Sequence, residues 1–299
     1  MRRRVGLIGF GAIGREIADC LARLGEDDSL VSVLVRPGRD ASSFPAAHDV
    51  ETFLISTPDV ILECAGHSAV VEYGASLLAS GADLVLSSIG VLADEAVAAS
   101  LRAASAQGGR LLIAPGAVAG LDGLIAARLA GLRHVRYTSF KPPHAWRGTA
   151  AEAALDLDHR QDEVVFFEGT ARAAALAYPK NANVAVTVGL CGLGIDHTQV
   201  RLVSSLKVGD PLGLIEADGD FGRFTFEILA RSAPSNPKTS LLTAHSLIQC
   251  ARLGIGLPAL ALLDRPQGVA FFPAGNGARA GSGFHDTDAP PRLADGGLC

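Results

Sequence analysis

Aromatic side chains and cysteines are scarce in this chain of 299 residues, of which only 5% are aromatic. The five cysteines are scattered without a C-x-x-C pair, so we expect no metal site and no disulfide framework. A reducing cytoplasm is the compartment that this cysteine usage favours. The balance of 26 basic against 31 acidic residues, with no basic stripe, argues against nucleic acid as a partner. No stretch reaches the ~18 consecutive apolar residues of a membrane span, so no membrane partner is expected.

The apolar content is high, at 48%, and comes mainly from aliphatic side chains. Short apolar strands alternate with helical stretches up to residue 118, which predicts an α/β fold whose domain 1–118 is a Rossmann-type doubly wound parallel sheet. Residues 119–237 predict a second α+β domain, for substrate binding and dimerisation, with a mixed or antiparallel sheet. A helix from about Lys238, within 238–264, is expected to return to the first domain. The composition of 265–299 predicts a largely disordered tail.

The most specific motif is VGLIGFGAIGREI (residues 5–17), in which a buried strand turns into a helix. The spacing of its glycines is the dinucleotide fingerprint, which allows a tight turn, close approach of a diphosphate and close packing of the helix. The alternative is a structural glycine turn without a ligand. We predict NADP or NAD as the cofactor, held by Gly9, Phe10, Gly11, Ala12, Ile13 and Gly14.

Arg36 follows the second predicted strand, where an acidic side chain would usually hold the ribose of NAD. Arginine pairs with a 2′-phosphate that a carboxylate would repel, so NADP should be accepted and even preferred. The alternative is a solvated loop arginine. Ala65, Gly66 and His67 follow the third predicted strand and are expected to border the cofactor, although His67 has a second possible role as a helix cap.

Six further phrases occur in a fixed order along the chain. Together with the glycine motif, they resemble the L-aspartate dehydrogenase family from residue 4 to about residue 253. The phrases are VILECAGH (60–67), PGAVAGLD (115–122), KPPHAWRGT (141–149), FEG (167–169), PKNANV (179–184) and NPKTS (236–240).

This resemblance implies an NAD(P)-dependent amino-acid dehydrogenase that moves hydride between the nicotinamide and Cα of aspartate or iminoaspartate. Iminoaspartate hydrolyses to oxaloacetate and ammonia. The resemblance also implies a small amino or imino acid as substrate and a homodimer, and it places Ala117 and Asn183 beside the nicotinamide half. For Asn181 and Asn183, the alternative is simple capping of a loop or helix.

One departure from the family pattern affects proton transfer. The family carries Asn-x-His upstream of the segment that reads DGDFGRF (218–224) here, and in this register Gly213 stands at the histidine's place. A general base is typically worth about 10² to 10⁴ in rate, so another residue must replace it or the activity differs. His144 is our first candidate, with an exposed loop histidine as the alternative. His197 and Asp210 are weaker candidates, because both are also typical of turns.

Three polar residues are predicted to bind the substrate. Lys141 and Lys238 suit substrate carboxylates, and Asn181 is grouped with them. Two other functions stay open at this point. One is an imine reductase or a dehydrogenase of a different small amine, and the other is a catalytically silent NAD(P)-binding sensor.

Overall fold

The computed structural model describes residues 3–157, 163–179, 181–233 and 236–263, with side chains throughout except at 232–239. Within these residues the chain builds a seven-stranded sheet, a five-stranded sheet and a two-stranded ribbon. The predicted tail, 265–299, lies outside the described residues. No helix in the described ranges has both the length and the apolar character needed to cross a lipid bilayer.

Six short strands of the first sheet run parallel to one another. They are β1 (Val5–Ile8), β2 (Leu30–Leu34), β3 (Ala46–Ala47), β4 (Val60–Glu63), β5 (Asp83–Leu86) and β6 (Leu111–Ile113). The connecting helices are α1 (Ala12–Arg23), α2 (Val50–Leu54), α3 (His67–Ala79) and α4 (Glu95–Ser105), with 3₁₀ helices at Asp27–Ser29 and Ile89–Ala93. Every residue of β1, β4 and β5 is buried, as expected for parallel strands covered on both faces.

The second sheet follows helix α5 (Leu121–Leu129) and is mixed. Its elements are β7 (Leu132–Lys141), β8 (Glu163–Thr170), α6 (Ala171–Ala177), α7 (Asn183–Cys191), β9 (Gln199–Ser205), β10 (Leu212–Gly219) and β11 (Gly222–Leu229), with 3₁₀ helices at Pro143–Trp146 and Ala150–Ala153. The strand order is β11-β10-β7-β9-β8. Only the β7–β9 pair is parallel among the described strands of this sheet, so the predicted mixed sheet is confirmed.

The last described segment returns to the first sheet. It contains β12 (Ser232–Ala233), β13 (Asn236–Ser240), α8 (Leu241–Leu253), β14 (Leu257–Pro258) and α9 (Ala259–Leu263). Helix α8 packs against α1, and β14 pairs antiparallel with β6. The first sheet therefore has the order β14-β6-β5-β4-β1-β2-β3.

The start of α8 differs from the sequence prediction. The helix was expected from about Lys238, but residues Asn236–Ser240 form β13 and pair with β12. The Ser240 hydroxyl accepts a hydrogen bond from the N–H of Leu242 at 3.2 Å and so caps the helix at this point. Lys238 consequently lies in a strand, not in the first turn of a helix.

Candidate active site

The glycine motif forms the turn between β1 and α1. Gly9 has a φ of +88°, which favours glycine, and a Cβ there would lie 2.9 Å from Cβ of Ala65. A Cβ on Gly14 would lie 2.4 Å from the carbonyl oxygen of Gly9, so glycine lets the helix approach the strand. Beside Gly11, no atom lies within 4 Å of the Cβ position, and no side chain caps α1. The first backbone N–H groups of α1 thus have room for a diphosphate, and the turn fits the predicted cofactor.

Glu63 ends β4 with a completely buried side chain. Its Oε1 accepts hydrogen bonds from the N–H groups of Ala65 and Gly66, each at 2.8 Å, and from the Ser88 hydroxyl at 2.9 Å. Its Oε2 accepts from the N–H of Ser88 at 2.9 Å and of Ser87 at 3.3 Å. One carboxyl group therefore fixes the loops after β4 and β5, at the sheet edge where doubly wound folds bind ligands.

Asn183 begins α7 and connects that helix to the loops of the first sheet. Its Oδ1 accepts a hydrogen bond from the N–H of Gly90 at 2.9 Å and lies 3.2 Å from Nε2 of His67. An amide oxygen can only accept, so Nε2 of His67 carries the proton in this pair. The NH₂ group of Asn183 takes no part in these two contacts, and the residue lines the cleft.

Strand β7 supplies the opposite wall. Tyr137, Ser139 and Lys141 are every second residue along the strand, and all three line the cleft, in keeping with the period of two in a strand. Nζ of Lys141 donates a hydrogen bond to Oδ1 of Asn181 at 2.9 Å. It also lies 5.0 Å from the ring centroid of Trp146, within cation–π distance. These two contacts orient a positive charge at the cleft.

Tyr137 and Gly213 lie side by side on neighbouring strands. Burial raises the pKa of Tyr137 to about 12, and a hydrogen bond from Ser139 acts in the opposite direction. The phenol therefore keeps its proton at neutral pH. Gly213 of β10 pairs with Ser139 of β7. A Cβ on Gly213 would lie 3.3 Å from Cε2 of Tyr137 and 3.5 Å from its hydroxyl oxygen, so the tyrosine borders any longer side chain at this position.

The two walls enclose a cleft of about 200 Å³ between the first sheet and the second. The loop 115–118 and the start of α8 complete its lining. The N–H of Gly116 donates to the Ser246 hydroxyl at 2.9 Å, which attaches this loop to α8. A cleft with apolar surfaces and a few placed polar groups is typical of a small-molecule site. In the described part of the chain, no three His, Cys, Asp or Glu side chains are grouped to hold a metal ion.

Two family models match the chain in turn. The NAD binding domain of homoserine dehydrogenase matches residues 9–115, and the C-terminal domain of aspartate dehydrogenase matches residues 122–253. The L-aspartate dehydrogenase of Ruegeria pomeroyi is 42% identical over 257 residues, which cover 84% of this chain and 92% of that protein. The L-aspartate dehydrogenase of Serratia proteamaculans is 40% identical, and the match covers 84% of this chain and 96% of that protein. The chain belongs to the L-aspartate dehydrogenase family.

A solved structure has the same fold as this member of the L-aspartate dehydrogenase family. The crystal structure of aspartate dehydrogenase from Thermotoga maritima superposes with a TM-score of 0.68 at 24% identity, covering 85% of this chain and 97% of that one. The predicted family and fold class are therefore confirmed. The chain is an NAD(P)-dependent oxidoreductase of the amino-acid dehydrogenase class.

The structure does not bring the three predicted proton-transfer residues into the cleft of this family member. His144 is exposed on the 3₁₀ helix Pro143–Trp146, and His197 is exposed in the turn before β9. Asp210 immediately precedes Pro211, which lines the cleft, but Asp210 itself does not line it. Their catalytic roles stay predictions, and none of them enters the mechanism proposed below.

The predicted cofactor residues differ in how they lie relative to the cleft. Ile13, Ala117 and Asn183 line it directly. Ala65, Gly66 and His67 lie in the loop and first turn that Glu63 and Asn183 hold. Phe10 packs its ring against Phe44, with centroids 6.1 Å apart, and Ala12 begins α1. Arg36 is exposed just after β2, at the edge of the same domain.

The predicted substrate residues are only partly described. Lys141 and Asn181 both line the cleft and are hydrogen-bonded to each other. Lys238 lies in β13, and its side chain is outside the described residues.

Sequence reasoning missed three residues with clear places in the site. Glu63 stands within the phrase VILECAGH, and a carboxylate at the end of an otherwise apolar strand is itself a signal of a buried hydrogen-bond network. Tyr137 and Ser139 share one face of β7 with Lys141, and the period of two along that strand gives the same information.

Proposed function

We propose that this protein oxidises L-aspartate and transfers the hydride of its Cα to NADP or NAD. The observation that carries the proposal is one cleft that combines the cofactor turn of the first sheet with the Lys141–Asn181 pair of the second. When bound, the nicotinamide supplies the hydride acceptor. The relatives named L-aspartate dehydrogenase, at about 40% identity, give the substrate class.

On the cofactor side, the chain binds mainly through its backbone. The open position beside Gly11 admits the diphosphate at the N-terminus of α1. Arg36, exposed after β2, pairs with a 2′-phosphate and so extends binding from NAD to NADP. Ala117 is small enough to leave room for a flat ring, and the NH₂ group of Asn183 donates to the carboxamide oxygen.

On the substrate side, the chain binds through charge. Aspartate carries two carboxylates, and the ammonium of Lys141 forms a charge-assisted hydrogen bond with one of them. Asn181, already bonded to Lys141, holds the ammonium in place and adds an amide donor. Lys238 is the predicted partner of the second carboxylate. This arrangement positions Cα between the β7 wall and the loop 115–118.

The proposed active form is a homodimer in the cytoplasm. A row of cross-strand partners crosses the second sheet on the face opposite Ser139 and Gly213, and it consists of Val165, Val203, Phe140, Leu212 and Leu229. Its two ends, Val165 and Leu229, are 47% and 59% exposed. Val203 and Leu212, within the row, are buried at 1% and 8% exposure, so we place the contact with a second copy at its exposed end on β11, around Leu229. Leu229→Arg should then halve the mass measured by light scattering, and an unchanged mass contradicts this placement.

The experiment that tests the function is direct. Purified protein is mixed with L-aspartate and either NADP or NAD at alkaline pH, and the absorbance of the reduced nicotinamide is followed. We expect turnover with both cofactors and none with D-aspartate. Binding of each cofactor is measured separately by the fluorescence of its reduced form.

The two alternative functions give different results in the same assays. An imine reductase consumes NADPH with a preformed cyclic imine and does not oxidise aspartate. A sensor binds the cofactor and shows neither activity. Tight cofactor binding without aspartate oxidation would therefore overturn the assignment of L-aspartate as the substrate. Absence of cofactor binding would overturn the whole proposal.

A further inference from the structure

We propose that the hydroxyl of Tyr137 is the catalytic proton donor and acceptor that releases ammonia from the oxidised substrate. The proposal rests on the proposed function and adds a residue to it. It begins from the chemistry of the cleft lining. Among the described residues that line the cleft, only Tyr137 and Lys141 have titratable side chains.

Lys141 already has a different task. Its ammonium is hydrogen-bonded to Asn181 and stacked on Trp146, an arrangement that keeps a positive charge for a carboxylate. Tyr137 is only 6% exposed, so its hydroxyl acts in a site from which most water is excluded. Tyr137 and Lys141 lie on the same face of β7, and Ser139 lies midway between them along the strand. A substrate held by Lys141 therefore lies along the face that presents Tyr137.

The neighbouring glycine opens this face. A Cβ at Gly213 would be 3.5 Å from the hydroxyl oxygen of Tyr137. The resemblance to the family predicts a histidine at this position, and its imidazole would start in contact with the same hydroxyl. In this chain Gly213 has no side chain, so the space beside it is bordered by the Tyr137 phenol. Tyr137 and the predicted family histidine thus border one position in the cleft.

The step assigned to Tyr137 follows hydride transfer and addition of water. The carbinolamine at Cα then carries one hydroxyl and one amino group. The Tyr137 O–H donates its proton to the nitrogen, the C–N bond breaks, and ammonia leaves with the electron pair of that bond. The carbinolamine O–H bond supplies the electron pair of the new C=O bond, and its proton returns to the Tyr137 oxygen. No oxidant is used, and the phenol is regenerated.

The protonation state of the phenol agrees with this role. Because burial raises the pKa of Tyr137 to about 12, the donor is loaded at neutral pH. For the same reason its conjugate base recovers a proton readily. The Ser139 side chain lowers the pKa of Tyr137 and so acts against the effect of burial.

The first test compares two tyrosines that are both buried. Tyr137→Phe removes the proposed donor, whereas Tyr178→Phe removes a hydroxyl from a ring that packs against Phe166 and Phe167 outside the cleft lining. We expect Tyr137→Phe to lower kcat for L-aspartate by about 100-fold or more, with unchanged cofactor affinity. Tyr178→Phe should retain normal kcat. An equal kcat in the two variants would overturn the proposal.

The second test puts an imidazole into the same space. In the Tyr137→Phe protein, the added substitution Gly213→His should recover at least about tenfold in kcat. The recovered activity should decrease when the pH is lowered under about 6.5, because the imidazole then becomes protonated. The φ of Gly213 is not positive and so permits a side chain, whose Cβ, 3.3 Å from Cε2 of residue 137, requires that ring to shift by a few tenths of an ångström. A double variant no faster than Tyr137→Phe alone contradicts the claim that both groups serve one position.

A binding measurement separates this proposal from the proposed function. L-Malate carries at Cα the hydroxyl that the carbinolamine would carry. In the presence of NADP, its affinity should fall about tenfold in Tyr137→Phe, the loss expected for one buried hydrogen bond, and stay constant in Tyr178→Phe. If the wild-type protein oxidises no aspartate, the proposed function fails, but the malate affinity still tests whether Tyr137 binds a hydroxyl group at Cα. Equal malate affinities in both variants would overturn the role of Tyr137.

Discussion

The two walls of the cleft are built in different ways. The wall from the first sheet is made of backbone, because its glycine turn leaves N–H groups open and the buried Glu63 fixes two loops through their amides. The wall from the second sheet is made of side chains, with Tyr137 and Lys141 presented by one strand and Asn181 by a loop.

This difference separates what is general in the site from what is specific. Backbone amides at a helix N-terminus recognise a diphosphate whatever else the cofactor carries. A phenol, an ammonium and an amide recognise one arrangement of carboxylate and amine. Changes in the first wall should therefore alter stability and cofactor affinity, whereas changes in the second should alter substrate use alone.

The largest effect is expected at Glu63. Glu63→Ala leaves the N–H groups of Ala65, Gly66 and Ser88 without their buried acceptor, so the free energy of unfolding should fall by about 3–5 kcal/mol. The matched control is Asp94→Ala, an exposed carboxylate that caps α4 and should cost about 1 kcal/mol. Urea denaturation measures both. If Glu63→Ala cost no more than Asp94→Ala, the buried carboxylate would not organise the first wall.

Lys141 provides the next test, on the second wall. Lys141→Met keeps the length of the side chain and removes its charge, so KM for L-aspartate should rise about 10- to 100-fold, as for the loss of one charge-assisted hydrogen bond. Cofactor affinity should stay unchanged. Lys207→Met serves as the control, because that half-exposed lysine lies near Glu163 and does not line the cleft. Weaker cofactor binding by the Lys141 variant would show that the walls are not independent.

Two glycines of the first wall separate packing from ligand approach. In Gly14→Ala the new Cβ meets the carbonyl oxygen of Gly9 at 2.4 Å, so unfolding free energy should fall by about 1–3 kcal/mol and cofactor affinity should fall with it. In Gly11→Ala the new Cβ meets nothing, so the unfolding free energy should fall only by the roughly 0.5–1 kcal/mol that alanine costs at this N-cap, while cofactor affinity drops. Thermal melts and cofactor titrations give both quantities. Normal cofactor affinity in Gly11→Ala would refute diphosphate approach at that position.

The same contrast explains what sequence could predict. The parallel sheet and the glycine turn follow from contiguous patterns, since apolar strands and a fixed glycine spacing are local signals. The second wall brings Lys141, Asn181 and Gly213 together from three separate segments, and no local pattern specifies their distances. Lys141 and Asn181 were both predicted to bind the substrate, but the hydrogen bond between them and the place of Tyr137 beside Gly213 were not predicted.

His144 shows the limit of position along the chain. It follows the phrase Lys141-Pro142-Pro143 at a position where the chain departs from the family pattern, and that departure suggested an imidazole in the cleft. The strand ends at Lys141, however, and the next residues form a 3₁₀ helix that buries Trp146 and exposes His144. The start of α8 was misplaced for a related reason, because the pairing of β13 with β12 involves no pattern visible in the helix sequence.

The smallest expected effect lies at the rim of the first wall, where one side chain adds selectivity to backbone recognition. Arg36 is exposed, so its pairing with a 2′-phosphate is screened by solvent and should be worth about 1 kcal/mol, or a factor of about five in affinity. Arg36→Asp should lower the affinity for NADP by more than this factor, because the new carboxylate also repels the phosphate. The affinity for NAD should stay nearly unchanged. Arg39→Asp makes the same change of charge three residues later and should alter the ratio of NADP to NAD affinity less than Arg36→Asp does. If Arg36→Asp weakened both cofactors equally, the arginine would contribute only general charge, and selectivity would have to come from the second wall.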